Sequence, residues 1–180
     1  MVEISFFQMI LGITFAWIIV RSIAIYRNRG VMVKRELQLL LVYVCIVVIA
    51  RLVYFGYHLV DGKIDTLKLG FTDKVSDMVS IIPFNFLFDR YDGWQRNILG
   101  NIAMFIPVGI VWPVCFRQLD SMKKVVLAGA GLTALIELSQ LICLERHTDI
   151  DDIILNTTGV LIGAAIVFLV RMIRRNMQAQ

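Results

Sequence analysis

Two histidines, three cysteines and three prolines in 180 residues leave little of the usual equipment for chemistry. Cys45, Cys115 and Cys143 all sit inside apolar runs with no metal-ligand spacing, so they read as packing or lipid-facing residues. His147 stands alone in a connector, without a second His or Cys near it, which argues against a zinc site. No P-loop, HExxH or nucleophile-elbow motif occurs. Charge is scarce as well, with 18 Lys and Arg and 14 Asp and Glu. The first twenty residues, MVEISFFQMILGITFAWIIV, lack a basic leader and a small-residue cleavage site, so they are expected to be a retained span. Strict apolar/polar alternation is missing, which excludes a transmembrane β-barrel. There are no internal repeats and no low-complexity tracts.

What the chain has instead is apolar length. Hydrophobic residues make up 58% of it and the mean hydropathy is +0.76, far above a soluble domain of this size. A span needs roughly 20 apolar residues to cross about 30 Å of hydrocarbon. Five segments meet or approach that: Ile4–Val20, Leu37–Tyr57, Ile98–Phe116, Val125–Leu144 and Ile153–Val170. The expected fold class is an all-α integral membrane protein, a small bundle of about five transmembrane helices. In the longest loop, Val75, Met78, Val79 and Ile82 fall at helical spacing, which predicts a short amphipathic helix on the outer surface, ended by Pro83. Phe84, Phe86, Tyr91 and Trp94 follow, placed like an interfacial aromatic belt.

Lys and Arg gather in short cytoplasmic loops. Arg21, Arg27, Arg29, Lys34 and Arg35 follow the first span, Arg117, Lys123 and Lys124 separate the third and fourth, and Arg171, Arg174 and Arg175 lie in the tail. All three groups agree on the N-terminus outside and the C-terminus inside. The net charge of +4 therefore reflects membrane topology rather than nucleic-acid binding.

Against this background the polar residues in and beside the last three spans stand out. Glu137 lies 12 residues into the fourth span, about 18 Å from the inner boundary at 1.5 Å per residue. A carboxylate at that depth costs several kcal/mol (about 3 on insertion scales) unless it is paired, wet or protonated, and Arg146 is its expected partner. Gln140 follows at i+3. Asn97 and Asn101 are i, i+4 on the third span, and Asp149, Asp152 and Asn156 stay on one stripe of the fifth. Depth places all of these in one outer-leaflet layer. Asp151 points to the other side, and Thr148-x-x-Asp151 reads as a capping box. Gly159 and Gly163 form a small-residue motif expected to pack helices. Arg51, near the outer end of the second span, is expected to snorkel and is left out of the site.

The run NILGNIAMFIPVG, then E-x-x-Q, then R-x-x-D-x-x-D-x-x-x-N-x-x-G, with IPF at Ile82–Phe84 ahead of them, resembles the VanZ-like family of bacterial membrane proteins. The likeness covers roughly residues 80 to 165. It implies a division into an N-terminal two-span segment with its outer loop (1–79), a VanZ-like domain of three spans (80–170) and a basic cytoplasmic tail (171–180). The family's recurrent polar positions fall on Asn97, Asn101, Glu137, Gln140, Arg146, Asp149, Asp152 and Asn156. Its named member is linked to resistance to teicoplanin, a lipid-tailed glycopeptide. The resemblance therefore implies a role at the outer face of a bacterial cytoplasmic membrane, with membrane lipids and a lipoglycopeptide antibiotic or envelope precursor as partners and no cofactor or resident metal. Two readings stay open. In one, the cluster holds the head of an amphiphile whose tail runs along the Gly159/Gly163 groove. In the other, a membrane-embedded enzyme modifies a lipid or lipid-linked precursor, with Glu137 as acid/base, Asp149 and Asp152 orienting water or a divalent cation, and Arg146 on a phosphate. A transporter is disfavoured, because the polar stripe stops at Gly159.

Overall fold

The computed structural model describes residues 1–55, 62–70, 79–88, 93–144 and 146–179. Five α-helices form among them, α1 (Phe6–Arg27), α2 (Val33–Phe55), α3 (Trp94–Cys115), α4 (Met122–Gln140) and α5 (Ile150–Gln178), with four short strands, β1 (Val2–Ile4), β2 (Leu67–Leu69), β3 (Val79–Ser80) and β4 (Thr148–Asp149). The chain divides into two compact units, Met1–Thr72 with Ile142–Arg146, and Asp73–Leu141 with His147–Gln180.

In the first unit α1 begins in a capping box. The Ser5 hydroxyl accepts from the Gln8 amide and the Gln8 side chain accepts from the Ser5 amide. No residue of α1 is buried, as expected of a helix whose solvent is lipid. It meets α2 through three pairs along one side. Thr14 and Tyr43 share a hydroxyl hydrogen bond of 2.7 Å, Trp17 stacks at a tilt on Tyr43, and Arg21 forks onto both carboxylate oxygens of Glu36. β1 pairs antiparallel with β2, Val2 opposite Leu69 and Ile4 opposite Leu67. The segment after α4 joins this ribbon, with the Leu144 amide donating to the Lys68 carbonyl and the Gly70 amide to the Ile142 carbonyl. Phe55, Leu67 and Cys143 form a small core there, flanked by Phe6 and Tyr54. The Arg51 guanidinium lies 5.6 Å above the Phe6 ring.

In the second unit α5 is the central element and packs along both α3 and α4. Glycine makes the close crossing possible. A Cβ on Gly159 would run into the Ile102 carbonyl oxygen, one on Gly163 into the Ile106 carbonyl, and one on Gly109 into the Val160 carbonyl. α3 runs through Pro107 and Pro113, and the Arg171 guanidinium donates to the Pro113 carbonyl at 2.7 Å, closing the end of α3. β3 and β4 pair in parallel, Val79 beside Thr148 and Ser80 beside Asp149.

The all-α class is borne out, with five helices, while several finer expectations change. Four helices, α1, α2, α3 and α5, are long and apolar enough to cross a membrane. α4 is the exception, because its 19 residues include Lys123, Lys124 and Glu137. It also stops at Gln140 rather than Leu144, since Ile142 and Leu144 give their backbone groups to the β2 ribbon. α1 extends through Arg27 and α5 through Gln178, so the basic residues after the first span and in the tail are partly helical. The expected surface helix fails where it is visible. Val79 is in β3 and Ile81 to Pro83 are irregular, while Val75 and Met78, like Tyr91, lie outside the described residues. Pairing with β4 takes the backbone groups that a helix through Val79 would need.

Candidate functional site

The polar residues picked out along α3, α4 and α5 fall into three joined contacts within the second unit. At the start of α3, the Asn101 Nδ2 donates both to Asn97 Oδ1, at 3.1 Å, and to Asp152 Oδ1, at 2.6 Å. On α4, Glu137 is buried, with 3% of its surface exposed, and its Oε2 accepts the Asp149 amide at 3.1 Å. Gln140, oriented so that its amide nitrogen donates, reaches the same oxygen at 2.9 Å. Deeper, Asn156 Nδ2 donates to Thr133 Oγ1 at 2.8 Å. The stripe expected on α5 is thus shared between two neighbours, Asp152 facing α3 and Asn156 facing α4.

The local chemistry explains this arrangement. Pairing of Thr148 and Asp149 with β3 keeps the chain extended through Asp149, so the helix starts at Ile150 and Asp149 becomes its N-cap. Its carboxylate accepts the Asp151 amide at 2.9 Å. Burial pushes the Asp149 carboxyl above the ordinary carboxylate range. The Asp151 charge adds to that, against the hydrogen bonds from the Asp151 amide and the Ser80 side chain. The carboxylates of Asp149 and Asp152 act electrostatically on Glu137, which gathers three acids at one end of the unit. Each accepts a hydrogen bond from an amide, as a buried carboxyl group requires.

Two expectations are corrected, and Arg146 is placed. The capping box does not form, because Asp149 takes the cap and the Thr148 hydroxyl donates to the Glu137 carbonyl at 3.0 Å instead. Asp151, 4% exposed, uses its carboxylate to accept the amides of Phe84 and Phe86, the latter at 3.1 Å. It therefore ties the IPF element to the head of α5. Gly159 and Gly163 do not line an open groove, since α3 fills that stripe. Arg146 belongs to the first unit, where its Nε donates to the Tyr54 carbonyl at 3.3 Å. There it borders a cavity of about 170 Å³ with Tyr54, Asp65, Thr66 and Lys68. Within its own unit Glu137 is partnered by Asp149 and Gln140.

Thr133, Thr148 and Ser80 are members of this network that pattern reading missed. Thr133 had a signal available, because Thr133, Glu137 and Gln140 follow one another at i, i+4, i+7 on a single helix face. Ser80 had none, since only the parallel pairing of β3 and β4 brings it to Asp149. Among the described residues, no three His, Cys, Asp or Glu side chains gather as a metal site.

Four helices long and apolar enough to cross a membrane, with a hydrogen-bonded acid and amide cluster where α3, α4 and α5 meet, define a multi-pass membrane protein with a polar site. The chain belongs to the VanZ/LLP1 family, whose model matches residues 37–171 and so takes in α2 as well as the last three helices. No curated protein and no solved structure matches it.

Proposed function

We propose that the cluster of Glu137, Asp149 and Asp152 with its amide partners Asn97, Asn101 and Gln140 binds the polar head of an amphiphile at the outer face of a bacterial cytoplasmic membrane. A lipid-tailed glycopeptide of the teicoplanin kind, or an envelope lipid, has the required chemistry. The observation that carries the reading is the hydrogen-bonded convergence of Asn101 on Asp152 and of Gln140 and Asp149 on Glu137. It concentrates carboxylates and amides where the ends of α3, α4 and α5 meet, and that chemistry favours cationic, hydroxyl- or amide-rich groups. The tail of such a ligand lies against the lipid-facing sides of the helices, because α3 occupies the glycine stripe. Membership of a family with a teicoplanin-resistance member agrees with this assignment.

The test is binding of teicoplanin and of a tail-less glycopeptide to the purified protein in lipid nanodiscs, wild type against Glu137→Gln. Loss of the carboxyl acceptor is expected to weaken teicoplanin binding about tenfold, with the tail-less compound weaker on both proteins. Equal affinity of both proteins for both compounds removes the proposal.

A further inference from the structure

The stretch from Ile81 to Phe88 combines apolar side chains turned outward with a backbone that is not helical. Ile81 is 74% exposed, Ile82 66%, Phe84 48% and Phe88 84%. Four large apolar side chains in eight residues would make a conspicuous patch in water. Phe84 holds φ at 65°, in the left-handed region that a bulky residue avoids. Asn85–Leu87 form one 3-10 turn, closed by the Phe88 amide on the Asn85 carbonyl at 2.9 Å.

Irregular backbone survives at membrane depth only where its polar groups are satisfied inside the protein. A side chain from another element supplies part of that satisfaction here. The buried Asp151 carboxylate takes the amides of Phe84 and Phe86, Pro83 has no amide to satisfy, and β3 just before the turn is paired to β4. Water would serve the same amides for a turn lying in solvent, without burying an acid. The placement agrees. Asp151 lies in the first turn of α5, and α3 begins at Trp94, so the turn sits where two membrane-length helices begin. Leu99, in the second turn of α3, is likewise turned outward, 66% exposed.

We infer that Ile81–Phe88 is a lipid-inserted turn, its outward side chains lying among phospholipid acyl chains just beneath the headgroups and its backbone held by Asp151. The occupant of this face is lipid rather than a second protein, because the turn is fixed at the head of a helix long and apolar enough to cross a membrane.

The experiment places a tryptophan at Phe88→Trp, and separately at Ile82→Trp, in the full chain in phosphatidylcholine vesicles. It reads the emission added over wild type. Acyl-chain-brominated phosphatidylcholine is expected to remove most of the added emission, which is blue-shifted, and acrylamide in the water to remove little. Red-shifted emission quenched by acrylamide overturns the inference, and so does emission shielded from both quenchers, which would mean that protein covers the face. In the Phe88→Trp chain, Asp151→Asn keeps one acceptor for two amides and is expected to raise acrylamide quenching, while Asp151→Glu, with both acceptors, restores much of the shielding. Unchanged quenching in Asp151→Asn would show that the carboxylate does not hold the turn.

Discussion

Replacing Gly159 by alanine probes one of the glycine contacts at which α3 and α5 touch backbone to backbone. The new methyl would meet the backbone of α3, which cannot rotate away as a side chain can. The Ile102 carbonyl carbon would lie 3.0 Å from it and the Phe105 Cβ 3.1 Å, against about 3.5–4.0 Å for a comfortable carbon pair. The two helices must therefore part by roughly 0.5–1 Å, a gap that forfeits a quarter to a half of the dispersion energy of the atoms along the seam. Overpacking of this kind costs about 3 kcal/mol where the neighbour is rigid. Alanine returns about 1 kcal/mol through its better helix propensity, so the net loss is about 2 kcal/mol, or roughly thirtyfold in the unfolding equilibrium. Gly131→Ala on α4 is the matched control. Nothing lies within 4 Å of its Cβ, so the propensity gain is expected alone. The assay is reversible unfolding in mixed micelles titrated with SDS, read by circular dichroism. A second pair sharpens it. A Cβ on Gly109 would lie 3.0 Å from the Gly163 Cα, so Gly109→Ala and Gly163→Ala act on one crossing, and together they should cost less than their sum. If Gly159→Ala is as stable as Gly131→Ala, the close-crossing argument is wrong.

Two further perturbations follow from single hydrogen bonds. Thr133→Val keeps the shape of a fully buried side chain but strips the acceptor from Asn156 Nδ2, whose Oδ1 already lacks a partner among the described residues. A loss of about 1–2 kcal/mol is expected. The double variant with Asn156→Leu should recover part of that loss, and strictly additive effects in the double-mutant cycle would refute a coupled pair. Arg171→Met removes the donor that closes α3 at the Pro113 carbonyl, with an expected cost of about 1 kcal/mol. Hydrogen exchange should then quicken in the last turn of α3 and not in α4; uniform protection in both would show that the contact does not support that end.

Much of this molecule is written locally. Long apolar runs can be stable in only one way where no water can serve the backbone, so composition and run length determine that the chain is helical and membrane-bound. Helical spacing likewise marks Asn97 with Asn101, Glu137 with Gln140, and Asp152 with Asn156 as shared faces. The acid at Glu137 announces itself through the cost of its burial. Other features depend on partners distant in sequence. β4 consists of two residues with no strand pattern of their own, and it exists because Val79 and Ser80 lie alongside. That pairing moves the N-cap from Thr148 to Asp149, and it frees Thr148 to bond the Glu137 carbonyl. The ribbon at β2 takes up Ile142 and Leu144, ending α4 early and carrying Arg146 into the other unit. Asp151 reads as a helix cap by spacing, yet it holds Phe84 and Phe86, 67 and 65 residues away. Sequence alone determined which groups lipid would force to find partners. Only the tertiary structure decided which partners they found, because a hydrogen bond is satisfied by any nearby donor and proximity between distant segments is a property of the packed chain.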